Sequence, residues 1–79
     1  MPNRSFKDAI YGQFARVSKA LANPHRIELV DLLAQGPRTV EVLARLSDMS
    51  LANTSQHLRV LRAAGLAEAT KEGLFVTYR

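Results

Sequence analysis

The spacing of apolar residues changes at Gly65, and this change limits the folds open to the chain. Upstream, apolar side chains recur every three or four positions, as the buried face of an α-helix requires. The clearest series is Phe6, Ile10, Phe14, Val17 and Leu21. Downstream, apolar and polar residues tend to alternate over 66–70 and 74–78, around Gly73, which is typical of a β-hairpin. The sequence therefore predicts a mainly helical fold that closes with two strands.

Local start signals divide the helical part into four helices. The first is expected over 6–22, where Ser5 and Asp8 form a capping arrangement. Side chains that accept hydrogen bonds from backbone amides precede each later apolar run. These expected N-caps are Asn23, Thr39 and Ser50. The expected buried face of the second helix consists of Ile27, Val30, Leu33 and Ala34, widened by Leu29 and Leu32.

The order of these elements specifies the architecture. Gly36 and Pro37 end the second helix, and Gly65 ends the fourth in the position that a left-handed C-cap requires. Two consecutive helices joined by a tight turn, the second of them rich in polar residues, form a helix-turn-helix. The expected fold class is therefore mainly α with a small β-hairpin: a winged helix-turn-helix of four helices followed by a two-stranded wing.

The fourth helix, 51–64, combines hydrogen-bonding side chains with positive charge, and no acidic residue lies between Asp48 and Glu68. Such a surface suits the major groove of DNA, where Gln and Asn pair with adenine and Arg pairs with guanine. The residues of this segment expected to contact DNA are Ser50, Ala52, Asn53, Ser55, Gln56, His57, Arg59 and Arg62. A plain solvated helix face is the alternative interpretation of the same pattern.

His25 and His57 fit no metal-ligand spacing, so neither a metal nor a cofactor is expected. For His57 the candidate roles are packing, a phosphate contact or solvated surface. An unperturbed imidazole is mostly uncharged at neutral pH, so a DNA contact through His57 is expected to strengthen on acidification. Arg26 is expected to reach either a phosphate or an acidic side chain such as Glu28 or Asp31.

The size of the chain favours an oligomer. Seventy-nine residues form one small domain with a thin core, and the absence of cysteine removes disulfides as a source of stability. The apolar stripe of the first helix, with Tyr11 beside it, fits internal core, a surface offered to a second subunit, or both. The expected dimer interface consists of Phe6, Ile10, Tyr11 and Phe14.

Charge and composition narrow the possible partners. A formal charge of +4 favours nucleic acid, an anionic membrane or an acidic protein. No apolar run approaches the length of a membrane span, so we expect a cytoplasmic chain with no membrane partner. The serines have no His and Asp partners in a recognisable catalytic pattern, so we expect no enzyme.

Several motifs together resemble the ArsR/SmtB family of winged-helix transcriptional repressors. They are ALANPHRIELVDLL in the second helix, TSQHLRVLRAAGL in the fourth and EGLFVTYR in the wing. The resemblance implies a homodimeric bacterial repressor on an inverted-repeat DNA operator, released by an inducer that the sequence does not identify. It also implies that the helix 51–64 enters the major groove. The wing 66–79 would follow the backbone or minor groove, with Lys71 to Gly73 at its tip and Lys71 as a DNA contact.

The sensing residues of that family do not carry over. Its paired cysteines align with Thr39 and Glu41, which offer no thiolate, and its C-terminal zinc ligands would lie beyond Arg79. We expect 1–79 to be a DNA-binding domain truncated before a C-terminal helix or a further domain. The segments RSFKDAIYGQFARVSKAL and LANTSQHL resemble a subgroup in which a rhodanese domain follows. A protein-interaction module, or a regulatory domain of such a larger protein, is the alternative function.

Overall fold

The computed structural model describes residues 2–79, which form four helices and three short strands. In chain order they are α1 (Pro2–Leu21), α2 (Pro24–Ala34), β1 (Arg38–Thr39), α3 (Val40–Ser47), α4 (Leu51–Ala63), β2 (Ala69–Glu72) and β3 (Phe75–Tyr78). The prediction of a winged helix-turn-helix with four helices and a terminal hairpin is confirmed. β1 is an element that the sequence analysis did not predict.

The three predicted N-caps are confirmed. The Asn23 side chain accepts hydrogen bonds from the second and third backbone amides after it, at 2.9 and 3.2 Å. The hydroxyls of Thr39 and Ser50 each accept from the third amide after them, at 3.3 and 3.1 Å. Each cap satisfies amides that the helix itself leaves without a partner, and each contributes about 1 kcal/mol.

Two tight turns bracket α4. At its end Gly65 has a φ of +79°, and the Leu66 amide donates to the Leu61 carbonyl at 2.9 Å, which closes the helix in a Schellman motif. Before α4, Asp48 adopts a φ of +55° and the Met49 amide donates back into the last turn of α3 at 3.0 Å. Aspartate tolerates the left-handed conformation better than most residues, so this turn is compact without glycine.

α1 begins at Pro2, before the expected start at Phe6, so the capping arrangement predicted for Ser5 and Asp8 is wrong. Both residues lie inside the helix. Proline suits the first helical position because no amide donor is needed there and its φ is already helical. Asp8 instead pairs with Arg4 one turn earlier, with 3.3 Å between Nε and Oδ1. Both side chains are exposed, so this pair adds little to stability.

The wing belongs to a three-stranded antiparallel sheet in the order β1-β3-β2. Tyr78 of the central strand faces Arg38 on one side and Ala69 on the other, and it is buried. The first wing strand starts at Ala69 and not at the predicted position 66, because Leu66 is used in the cap of α4 and Ala67 packs into the core.

The core gathers leucines from three helices. The fully buried leucines are Leu29, Leu43, Leu58 and Leu61. The buried face predicted for α2 is partly wrong: Ile27 is 53% exposed and Ala34 is exposed, whereas Leu29 is completely buried. Val30 and Leu33 are half-buried. Apolar residues occupy most of the circumference of α2, so their spacing alone could not select the buried side.

α1 packs against the domain only near its C-terminal end. Ala20 is buried and Val17 is half-buried, but every residue over 3–16 is exposed. Neither α1 nor any other helix within residues 2–79 has both the length and the apolarity needed to cross a membrane.

Candidate nucleic-acid interface

α4 has a buried side that fixes how the helix is rotated. Thr54, Leu58 and Leu61 are buried, as the helical spacing predicts. The Thr54 hydroxyl donates to the Ser50 carbonyl at 2.8 Å, so its polar group is satisfied inside the fold. Residues opposite Leu58 therefore face solvent.

The outward face of α4 consists of Ala52, Asn53, Gln56 and Arg59, and all four are exposed as predicted. Arg59 Nη1 donates to Gln56 Oε1 at 3.2 Å, which orients the two side chains one turn apart. Each side chain retains further donor groups. Asparagine, glutamine and arginine are the residue types that pair bidentately with purine edges, so this face has the chemistry of base recognition.

Ser50, Ser55 and Arg62 flank the outward face. Ser50 Oγ accepts the Asn53 amide at 3.1 Å, so its hydroxyl proton is what it can offer to another acceptor. Ser55 is half-buried, and Arg62 is exposed in the last turn of α4. Leu51, which was not among the predicted contacts, is 51% exposed at the start of the helix. Its position directly after the N-cap Ser50 was the sequence feature that could have indicated this exposure.

His57 lies on the flank of α4 that faces α2. Its ring stacks on the ring of His25 with 5.6 Å between centroids and 29° between planes. Its Nδ1 lies 3.3 Å from Arg26 Nη1. Arginine stays protonated, so His57 Nδ1 acts as the acceptor and the imidazole is neutral. Partial burial, and then the charges of Arg26 and His25, lower the pKa of His57 below its usual 6.5. His57 therefore gains a proton only at a lower pH than an unperturbed imidazole.

Arg26 reaches neither of the acids expected from the sequence. Its Nε donates to the Ala20 carbonyl at 2.6 Å and its Nη2 to the Lys19 carbonyl at 3.2 Å. These carbonyls belong to the last turn of α1, where a cation is favoured by the helix dipole. Arg26 thus connects the end of α1 to the His57 side of α4.

The wing places Lys71 on β2, paired with Val76 of β3, and its side chain is exposed. The expected tip at Lys71 to Gly73 is displaced along the chain, because Lys71 lies within the strand and the turn is formed by Gly73 and Leu74. Leu74 is 95% exposed and Phe75 57%. The sequence analysis missed this apolar tip, since alternation predicts strand faces and not the orientation of turn residues.

The predicted dimer residues lie together on the exposed part of α1. The exposed fractions of Phe6, Ile10, Tyr11 and Phe14 are 67%, 36%, 57% and 67%. Gln13 and Val17 complete a shallow apolar groove with Ile10 and Phe14. Within residues 2–79, no three His, Cys, Asp or Glu side chains come close enough to hold a metal ion.

Comparison with known proteins places this geometry in a family. A family profile described as "Helix-turn-helix domain" matches residues 21–69. The homodimeric winged helix-turn-helix DNA-binding domain Mb0332 from Mycobacterium bovis, a possible ArsR-family transcriptional regulator, is 48% identical, with a TM-score of 0.89 over 92% of this chain and 68% of that chain. The ArsR family transcriptional regulator RHA00566 is 33% identical, with a TM-score of 0.78 over 84% and 72% of the two chains.

A longer relative is also similar. The HTH-type transcriptional regulator Rv0324 from Mycobacterium tuberculosis is 48% identical over 73 residues, which are 92% of this chain and 32% of that protein. The chain thus spans about a third of the length of Rv0324. The family profile covers both helices of the helix-turn-helix, and the similarity to the solved domains extends over most of the fold. The chain belongs to the ArsR family of winged helix-turn-helix transcriptional regulators.

Proposed function

We propose that this chain is a homodimeric, sequence-specific DNA-binding domain that represses transcription from an inverted-repeat operator. The outward face of α4 is the observation that carries this proposal. It presents Asn53, Gln56 and Arg59 to solvent, and no carboxylate occurs along α4 to repel phosphates. The similarity to Mb0332, a homodimeric DNA-binding domain, supports it.

In this proposal α4 lies in the major groove. Asn53, Gln56 and Arg59 read base edges, and Ala52 allows the first turn to approach the bases closely. Ser50, Ser55 and Arg62 contact phosphates beside the groove, which sets the register of the helix. His57 supports this face from behind, through its contacts with α2. The exposed Lys71 of the wing adds a further phosphate or minor-groove contact.

The dimer forms through the exposed apolar face of α1. Phe6, Tyr11 and Phe14 are each more than half exposed in the single chain. A symmetric pair of such faces would bury aromatic rings, which are common anchors of interfaces. Two copies of α4 would then read half-sites about one helical turn apart.

Residues 1–79 act as one DNA-binding domain, whatever else the protein contains, and catalyse no reaction of their own. A bacterial repressor works on the chromosome, so we place the protein in the cytoplasm.

The decisive experiment is selection of binding sites from a random duplex DNA pool, with the oligomeric state measured in parallel by sedimentation. Enrichment of an inverted repeat with half-sites about 10 base pairs apart is the expected result. Affinity should also fall steeply with the logarithm of salt concentration. A stable dimer that enriches no sequence would overturn the proposal in favour of a protein-interaction module.

A further inference from the structure

A cavity lies between the end of α1, the start of α2 and the last turns of α4. Its volume is about 400 Å³, within the range of about 300–1,000 Å³ typical of small-ligand sites. Val60, Ala63 and Ala64 give it an apolar floor. Val60 packs partly against the core, so this floor is a fixed part of the fold.

The rim of this cavity is cationic. Arg16 and Lys19 of α1 and Arg26 of α2 line it, and none of the side chains described at the cavity is acidic. Among the described residues Arg16 bonds only to the neutral Gln13 side chain, at 3.1 Å, and Arg26 bonds to backbone carbonyls and His57. Three like charges around an apolar floor favour an anion that also carries a hydrocarbon part.

We propose that this cavity binds a small amphipathic carboxylate, such as a medium-chain aliphatic acid. Its chain lies on the floor formed by Val60, Ala63 and Ala64, and its carboxylate lies between Lys19 and Arg26. A guanidinium can bind a carboxylate through two parallel hydrogen bonds, and both Arg16 and Arg26 present one on the rim. A bare phosphate would satisfy the cations but leave the floor without an apolar contact.

Occupancy of the cavity would act on α4 through Arg26. That guanidinium now holds the Ala20 carbonyl at 2.6 Å and lies 3.3 Å from His57 Nδ1. A bound carboxylate competes for the same donors and loosens the connection between α1 and α4. The carboxylate is thus a regulator that lowers operator affinity, a consequence that rests on the DNA-binding function proposed above.

Titration of the 79-residue chain with octanoate, followed by backbone amide chemical shifts, tests the site without DNA. Saturable shifts at Val60, Ala63 and Ala64 are expected, and octanol or inorganic phosphate should bind at least about tenfold more weakly. Equal binding of octanol or of phosphate would overturn the carboxylate assignment. So would octanoate shifts confined to the α1 groove around Phe14.

Two pairs of variants separate the site from general charge and size effects. R16Q/K19Q removes two rim cations and should weaken octanoate binding about fivefold or more, whereas R4Q/K7Q makes the same charge change at the far end of α1 and should not. A63F fills the cavity and should abolish the shifts, whereas A34F places the same ring on an exposed part of α2. Equal effects within either pair would overturn the proposal.

The effect of the bound carboxylate on DNA binding is measured separately, as a change in operator affinity. Octanoate should reduce operator affinity of the unmodified chain and leave that of A63F unchanged. Octanoate binding with unchanged operator affinity would overturn regulation but keep the site. Octanoate binding by a chain that recognises no DNA sequence would instead count against the proposed function, so the two failures are distinguishable.

Discussion

α1 and α4 both carry an apolar stripe at helical spacing, but they use it in opposite ways. α4 buries the centre of its stripe, with Leu58 and Leu61 at 0% exposure, and presents polar side chains to solvent. α1 leaves its stripe outside, with Phe6 and Phe14 each 67% exposed. The same sequence pattern therefore stabilises the domain in one helix and remains available to a partner in the other.

The amphipathicity of a helix specifies which side is apolar but not which surface covers that side. α4 lies between α3 and α2, so its stripe meets leucines of its own chain. α1 projects from the domain, and only Ala20 near its end reaches the core. Exposed aromatic stripes of this kind mark interaction surfaces in soluble proteins. Four substitutions, in decreasing order of effect, test whether α4 stabilises the domain while α1 binds a partner.

Leu58→Ala should produce the largest loss. It removes a fully buried side chain and leaves a cavity at the centre of the core, so the free energy of unfolding should fall by about 2–5 kcal/mol. Urea denaturation at several protein concentrations measures it. For a domain this small, the variant should be largely unfolded at 37 °C. A loss below about 1 kcal/mol would mean that α4 is not held by its stripe.

Phe14→Ala should act on association and leave the fold of one chain almost unchanged. The side chain is 67% exposed, and a symmetric interface contains it twice, so we expect dimerisation to weaken by about 2 kcal/mol or more. Sedimentation equilibrium gives the dissociation constant. Ile27→Ala is the matched control, because Ile27 is 53% exposed on α2, outside the α1 face. Equal effects of both substitutions would remove α1 as the interface.

Arg59→Ala tests the outward, polar face of α4. Loss of a base contact should weaken binding to the selected operator by about 1–3 kcal/mol and relax specificity at one position. Arg4→Ala makes the same charge change on exposed α1 and should have a much smaller effect. If Arg59→Ala instead weakens binding to all sequences equally and reduces the salt dependence, Arg59 contacts a phosphate.

The sequence predicted those parts of the molecule that depend on near neighbours in the chain. The Asn23 and Ser50 caps bond to amides within three residues, and the turn at Gly65 is closed by a hydrogen bond between residues five positions apart. The residue types at those positions were therefore enough to predict both features. The outward face of α4 followed because burial of Leu58 fixes the rotation of the helix.

The rest depended on contacts between distant residues. Arg26 and His57 are 31 positions apart, and nothing in either segment indicates that the guanidinium bonds to the ends of α1 and to an imidazole of α4. β1 has two residues, too few to show alternation, and exists because β3 is there to pair with it. The apolar residues of α2 surround the helix, so Leu29 could not be chosen over Ile27.

Arg26 of α2 connects the end of α1 to His57 of α4. The pH dependence of the contact between Arg26 and His57 gives the smallest effect. Folding lowers the pKa of His57 through partial burial and the charges of Arg26 and His25. Below the unfolded value of about 6.5 the unfolded chain therefore binds more protons at this site than the folded chain. The stability that His57 contributes is complete above that pH and is lost progressively as the pH falls toward the lowered folded value.

Comparison of the unmodified chain with His57→Gln between about pH 7.5 and 5.5 isolates this contribution, because the two proteins differ only in this one ionisable side chain. Acidification should cost the unmodified chain more stability than the variant, and Arg26→Gln should reduce the difference. Protonation places two cations at the 3.3 Å separation between Nη1 and Nδ1, so the end of α1 should loosen before the core of α4 does. Amide exchange that rises first in α1 would support this order, whereas an equal rise in α1 of the His57→Gln variant would show that Arg26 does not connect the two helices.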